Sequence, residues 1–502
     1  MKKMNLLVMS LVSAAALSFT SCSSNDDLAG NAGQEKADGF YMTLTVQSPK
    51  SDGTRTAVID PTENATAEEA AITKGTLYLV DATGKIAFQE DLSDLDWSGE
   101  VKNDPTKKKD GSHTFAIKVP AVEAGQTYHV YFLAGNNKPA GDMNFKATNN
   151  NFFTAATNSF ASPFADDNNF AMFNQNDAQV NGNGYSVTFI KANNNSKNPA
   201  KVTYTSADGN TTQKDAAIKV ERVVARIDAP NPGSSTVLAE APADASDALK
   251  VAMKDAKEKV GKIELTNYAI SNLANKSYVM QTWNSSSALV IPNDKAGFSY
   301  LQPTSAFGGE YNYLNGGFTT TETAKKNYVF ENNSTTAPTT MYFEYKVTLN
   351  NEKFEGDADF KDDATNAGTF YRYNNVIYTS FAQIYKDYAD VADLFGAGMD
   401  ADKMKAELKK VIDDEDKLAD FRKKYTIEVF KGGKTYYKHV IKDNHINGII
   451  QRNSIYRLNI NNIFNVGAQV PNGTTKVSEF YYLNVTVTVN PWVLNKDDVN
   501  LQ

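Results

Sequence analysis

One cysteine, Cys22, and four histidines, His113, His129, His439 and His445, are all the thiol and imidazole that this 502-residue chain carries. A lone cysteine forms no intramolecular disulfide, Cys-based zinc site or thiol-redox pair. The pattern puts His439 and His445 at a strand end and in the turn after it. They would not face one ion as an i, i+4 helical pair does. His113 reads as a turn residue and His129 as a strand residue, and neither has an evident nucleophile to serve. Asp357, Asp359, Asp362 and Asp363 invite a calcium loop, but Lys361 holds its fifth position and Asp362 stands where such a loop needs glycine. The stretch reads as a solvated acidic loop. Gly182-Asn183-Gly184 lacks the third glycine, following helix and lysine of a phosphate loop and reads as a hairpin turn. No GxSxG, HExxH, Walker A or GxGxxG pattern occurs. The expectation is a chain with no catalytic, cofactor-binding or metal-binding residues, and no enzyme. With 51 Lys and Arg against 59 Asp and Glu, the net charge of -8 also speaks against nucleic acid as a partner.

What Cys22 can do is set by the residues before it. Lys2 and Lys3 lead into an apolar run from Leu6 to Phe19, then Thr20 and Ser21 precede the cysteine. That is the order of a secretory signal over residues 1–21, and the run is too short to favour a transmembrane helix. A cysteine kept only here, after small residues, resembles a bacterial lipobox and implies acylation of Cys22. The polar leader Ser23, Ser24, Asn25, Asp26, Asp27 is similar to those of surface lipoproteins in Bacteroides-type bacteria. Removal of Lys2 and Lys3 takes the net charge from -8 to -10. An acidic protein is not held on an anionic membrane by charge, so acyl chains would do the anchoring.

The elements that position the rest are read from periodicity. With 41% hydrophobic residues the chain can bury sizeable cores, and its length suits two to three domains at roughly 100–200 residues each. From residue 40 onward, short alternating runs are separated by Gly, Asn, Asp and Pro, the pattern of antiparallel sheets with one wet face. Phe40, Met42, Leu44 and Val46 share one face of the first such run, and Gly75 to Val80, Thr114 to Val119 and Thr127 to Ala134 are further strands. The Asn- and Phe-rich tract from Asn144 to Asn195 reads as ordered loops with short strands, because its phenylalanines would otherwise stand in water. Ala217 to Ile227 is ambiguous between strand and helix. Asp228 to Ser235 (DAPNPGSS) is the strongest linker, which separates residues 56–228 from 229–502. Strands resume at Lys262 to Leu273, Thr340 to Leu349, Tyr425 to Phe430 and Ser454 to Ile460. Ile384 to Tyr425 has helical spacing, divided by Gly396 and Gly398 into two expected helices, the second starting near Asp400 as N-cap.

The two ends of the chain relate to one another. After the first strand, Ser48 to Thr56 is a polar turn presenting Arg55 where proteases cut readily. Near the C-terminus Leu483, Val485, Val487 and Val489 alternate with Asn484, Thr486 and Thr488, after a linker containing Gly467, Pro471 and Gly473. Cleavage between Arg55 and Thr56 would release the first strand and open an apolar groove with unpaired edges. Residues 482–489 of another copy have the alternation to fill it by strand addition. Such a head-to-tail contact propagates into a filament.

Several segments together resemble the major fimbrial subunits, or fimbrillins, of type V pili. They are the lipobox with its acidic leader, Gly53-Thr54-Arg55-Thr56-Ala57-Val58, Val220-Glu221-Arg222-Val223-Val224-Ala225-Arg226-Ile227, and Val485-Thr486-Val487-Thr488-Val489-Asn490-Pro491-Trp492. Thr266-Asn267-Tyr268-Ala269-Ile270 and Arg452-Asn453-Ser454-Ile455-Tyr456-Arg457-Leu458 are similar to strands of the short-fimbria branch. The resemblance implies a mainly β chain of two antiparallel β-sandwich-like, transthyretin-like domains, here with a helical insertion over 384–425 of the second. It further implies a lipoprotein precursor at the outer membrane with a propeptide over 22–55. An arginine-specific protease would cut after Arg55, making 40–47 the sacrificial strand and 482–489 the donor. The partners implied are other copies of the chain, anchor and tip subunits, and receptors on host or bacterial surfaces, with a role in adhesion and biofilm formation. Two alternatives stand beside a shaft subunit: an anchor or tip accessory subunit, and a non-polymerising surface lipoprotein that binds glycans. The last would be marked by exposed aromatic platforms around Trp97 or Trp283.

Overall fold

Alternating apolar residues build most of the molecule, and the fold is mainly β. The computed structural model describes residues 9–10, 39–48, 63–97, 112–120, 122–136, 139, 142–146, 151–155, 164–176, 184–206, 209–230, 235–284, 288–301, 326–354, 356–442, 449–471 and 483–494.

The first sheet is laid around Phe40–Gln47, an eight-residue strand whose burial alternates as its sequence does. It pairs antiparallel with Ser112–Val119 along its whole length, from Phe40 opposite Val119 to Gln47 opposite Ser112. On its other side it runs parallel to Ala200–Lys201 and Ile218–Arg222. The sheet continues through Met172–Asn174 and Thr127–Ala134, which carries Gly75–Val80 and, beyond it, Ile86–Asp91. Met9 and Ser10 lie outside Ser112–Val119, opposite Ala116 and Phe115. Inside, Met42, Leu44 and Val46 meet Leu77, Leu79, Phe115, Ile117, Val130 and Phe132 in one core. Gly75 is needed there: a β-carbon would come within 2.7 Å of the Leu133 carbonyl oxygen and 2.2 Å of the Phe132 ring.

The second body is a sandwich of two sheets. One runs in the order Lys326–Val329, Ala225–Asp228, Ser454–Ile463, Leu483–Leu494, Glu63–Ala65. The other runs Ser235–Thr236, Val260–Ser271, Thr340–Leu349, Lys434–Val440. Ile227, Tyr456 and Leu458 of the first face Ile263, Phe343 and Val347 of the second in a shared core. Helix Asp247–Lys259, capped by the Ser246 side chain, packs Ala252, Met253 and Ala256 inward.

Where two helices are expected over 384–425, the insertion has three, Phe381–Asp387, Ala401–Val411 and Glu415–Tyr425, because Asp414 caps a new helix just after Val411. Asp400 caps the second, accepting from the Lys403 amide at 2.9 Å. Together with a small sheet of Phe370–Tyr373, Val376–Tyr378 and Glu428–Phe430 they enclose a core of their own, including Tyr371, Phe381, Met404, Leu408 and Leu418.

Other expectations are refined. The ambiguous Ala217 to Ile227 stretch is two strands in different sheets, because fully buried Val223 and Val224 carry the chain from one core to the other. The Asn- and Phe-rich tract contributes the short strands Phe152–Thr154, Met172–Asn174 and Tyr185–Thr188, with Phe153, Phe164, Phe170 and Phe173 buried. His113 is a strand residue opposite Val46, not a turn residue: its ring packs 5.2 Å from that of Trp97. The acidic loop is also not wholly solvated. Asp359 is buried, accepts from the Tyr371 hydroxyl at 3.0 Å and the Phe381 amide at 2.9 Å, and its carboxyl is raised by burial.

Candidate functional site

The residues singled out from the sequence fall into three groups. Cys22, Arg55 and Thr56 lie outside the described residues. The first-strand residues lie inside the first core. Met42, Leu44 and Val46 are fully buried, while Phe40 is partly buried and packs its ring 5.6 Å from Phe189. On the opposite face the Thr45 and Thr114 hydroxyls bond at 3.1 Å, and Gln47 Nε2 donates to Ser112 Oγ at 3.3 Å. The strand is thus held by backbone ladders on both sides, by three buried side chains on one face and by polar cross-strand bonds on the other. Burying such side chains contributes roughly 1.5–3 kcal/mol each.

The terminal strand Leu483–Leu494 lies in the second sandwich. It pairs antiparallel with Ser454–Ile463, from Leu483 opposite Ile463 to Pro491 opposite Ser454. Leu483 is buried and Val485 half-buried against the second core, while the Val487 and Val489 backbones lie opposite Leu458 and Tyr456. On the far side, among the described residues, it is paired only at its end, where Glu63–Ala65 runs parallel to Trp492, Val493 and Leu494. The two strands that carry the assembly reading therefore sit in different sheets of one chain. They are not brought together.

Between the two cores lies a buried polar joint that sequence reading missed. Arg452, fully buried, donates from Nε to Glu331 Oε2 at 2.9 Å and from its terminal nitrogens to the carbonyls of Tyr278 at 2.6 Å and Val279 at 2.9 Å. Its guanidinium also comes within 3.9 Å of Glu221. Gln281 Nε2 donates to Glu331 Oε1 at 2.7 Å. A few residues away Arg222 donates from Nε to the Glu69 carbonyl at 2.8 Å and from a terminal nitrogen to Asn453 Oδ1 at 2.9 Å. Burial lowers the Arg222 guanidinium to about 9, against the pull of Glu69 in the other direction. Arg226 forks Asp228 at 2.8 and 2.9 Å and reaches the Glu69 carboxylate at 3.1 Å. For Glu69 burial works to raise the carboxyl, but Lys326, the Thr66 amide and Arg226 together bring it down to about 2. A sequence signal for this joint did exist, since Thr66-x-x-Glu69 is a capping-box pattern. What local pattern could not give is that the glutamate faces three other segments.

The remaining candidates have structural partners. Trp97 and Trp283 are buried, and Trp97 Nε1 donates to the Leu92 carbonyl at 2.9 Å, so neither offers a platform for a sugar ring. His129 and His439 are strand residues, and His445 lies outside the described residues. No group of three or more His, Cys, Asp or Glu able to hold a metal ion occurs among the described residues, and no helix among them is long and apolar enough to cross a membrane.

Residues 428–498 match the family model for the major fimbrial subunit protein type IV, fimbrillin, C-terminal. That span begins at the strand closing the helical insertion and ends just past the terminal strand. The sequence matches none of the curated proteins. Among solved structures the chain is similar to a candidate cell adhesion protein from Parabacteroides distasonis, at 14% identity and a TM-score of 0.44, over 91% of this chain and 98% of that one. A fimbrial assembly protein from the same organism matches at 14% identity and a TM-score of 0.21, over 62% of this chain and 98% of that one. A candidate adhesin from Bacteroides ovatus matches at 9% identity and a TM-score of 0.20, over 61% and 72%.

Proposed function

We propose, from the match of residues 428–498 to the fimbrillin C-terminal family model, that the chain is a fimbrillin: a shaft subunit of a cell-surface fimbrium, of the short-fimbria branch, polymerised by donor-strand exchange. That match supports a structural or adhesive role at the cell surface and assembly with other fimbrial subunits, in keeping with a non-enzymatic protein. The finer reading is a precursor acylated at Cys22 and carried to the outer membrane, then cut after Arg55 by an arginine-specific protease. The freed site would be filled by residues 482–489 of the next copy. Anchor and tip subunits would complete the fimbrium, which would support adhesion and biofilm formation.

The observation that carries the reading is the situation of Phe40–Gln47. It is flanked on both sides within its sheet and buries Met42, Leu44 and Val46 completely. Its loss leaves a slot of eight residues along Ser112–Val119, with unpaired backbone on both walls and an apolar floor. A segment entering that slot must alternate apolar and polar residues, as Leu483, Val485, Val487 and Val489 do. Residues 1–55 contain five basic and five acidic residues, so the cleaved chain keeps the whole chain's charge of -8. Repulsion between copies is not relieved by the cut. The drive to polymerise comes from apolar burial and edge pairing.

The test is to treat protein lacking residues 1–21 with limiting arginine-specific protease, comparing wild type, Arg55→Ala and a truncation ending at Glu479. Denaturing-gel ladders and filaments by electron microscopy are expected in wild type alone. Monomers throughout, after clean cleavage at residue 55, would overturn the shaft assignment.

A further inference from the structure

Thr66, Ala67, Glu68 and Glu69 form a capping box: the Thr66 amide donates to Glu69 Oε2 at 2.9 Å and the Glu69 amide to Thr66 Oγ1 at 3.3 Å. Capping boxes usually sit at the surface, yet this glutamate is 1% exposed. Its other oxygen, Oε1, accepts from Lys326 Nζ at 2.8 Å, the Tyr328 hydroxyl at 2.9 Å and Arg226 at 3.1 Å. Its backbone carbonyl accepts from Arg222. Residues 66–70 are thereby fixed to Ala225–Asp228 and Lys326–Val329, two neighbouring strands at one edge of the five-stranded sheet. The three residues just before them, Glu63–Ala65, lie against the end of the terminal strand at the opposite edge. The capped turn itself touches the terminal strand. Among the described residues, no other strand pairs that side of the terminal strand.

We propose that Glu63–Ala70 is a clasp: an autoinhibitory contact, anchored by Glu69, that keeps the terminal strand in its own subunit, and that cutting the chain after Arg55 loosens it. The second part rests on the donor-strand reading above. Before the cut, the chain runs on without a free end from the clasp to the first strand, and the Glu69 cluster anchors the clasp's other end. After it, seven residues, 56–62, separate a free chain end from Glu63. A three-residue strand next to a chain end frays, because few contacts oppose its local opening. One cut would then empty the acceptor slot and loosen the donor, so that neither is available too early.

The test is amide hydrogen exchange on the full chain, uncleaved, for wild type, Glu69→Gln and Asn64→Pro. Gln removes the charge that Arg226 and Lys326 face while keeping the shape. Pro strains the ladder to Val493 without touching the buried cluster, which keeps the test decisive should Glu69→Gln fold poorly. Exchange within 483–494 is expected on the order of tenfold faster in the variants, with Val260–Ser271 and Phe40–Gln47 unchanged. Wild-type rates in 483–494, or acceleration spread over the whole molecule, would overturn the clasp. Cleavage after Arg55 should raise wild-type exchange in 483–494 toward that of the variants, and no rise would overturn the coupling. Faster exchange without any polymerisation would support the clasp while removing the donor-strand reading, so the two fail separately.

Discussion

The first strand and the terminal strand are both alternating runs near a chain end, and the structure treats them differently. Phe40–Gln47 is flanked by strands on both sides and has three fully buried side chains. Leu483–Leu494 is paired from Leu483 to Pro491 on one side and, among the described residues, only over its last three residues on the other. Taking away the first leaves a slot inside a sheet, whereas taking away the second leaves an edge. A strand that vacates a slot creates a demanding binding site, and a strand near an edge can leave at lower cost. That asymmetry fits acceptor and donor roles.

Substitutions separate the two strands by what each contributes to stability. The largest effect is expected at the joint between the two bodies. Arg452→Met leaves Glu331 buried without its guanidinium and should cost about 3–5 kcal/mol, read as the shift in a denaturant-unfolding midpoint. Next, Leu44→Ala should cost about 2–5 kcal/mol, because the site is closed on all sides. Val485→Ala, at a half-buried position, should cost about 1 kcal/mol. Equal costs at the two positions would break the comparison.

A pH series bears on the joint as well. Glu69 has an ordinary value of 4.5 and a folded value of about 2. A lowered carboxyl binds fewer protons folded than unfolded, so its stabilisation is present above the unfolded value and lost as pH falls from about 4.5 toward 2. Wild type should lose about 3 kcal/mol more than Glu69→Gln over that window, measured by denaturant titration at fixed salt. Parallel curves would show that the cluster contributes nothing through Glu69. Asp400→Ala, which removes one helix cap, should cost about as little as Val485→Ala, about 1 kcal/mol. It should leave polymerisation unchanged, because the helical insertion has its own core.

What was legible in the sequence was whatever one element determines by itself. Thr340–Leu349 coincides with its expected bounds, and the 40–47 alternation reappears as the burial pattern of its strand. Asp400 was readable as a cap because the cap bond lies within its own turn. Helix Asp247–Lys259 was hidden by its place just after the Pro- and Gly-rich linker, and by an inward face made largely of alanines too small to stand out as a stripe. Glu63–Ala65 is three residues long, and its pairing spans more than four hundred positions of sequence, beyond the reach of any local pattern. Arg222, Arg226 and Arg452 look like ordinary surface arginines until the segments bearing Glu69, Asp228 and Glu331 are folded around them.

The most direct test of the account is whether the emptied slot accepts the donor sequence. A fluorescent peptide of residues 480–494 would be titrated, by anisotropy, into the chain truncated at Glu479, before and after arginine-specific cleavage and removal of the released fragment. Saturable binding after cleavage, absent before it and abolished when Leu483, Val485, Val487 and Val489 are replaced by serine, is the predicted result. No binding after cleavage, or equal binding before and after it, would contradict donor-strand exchange.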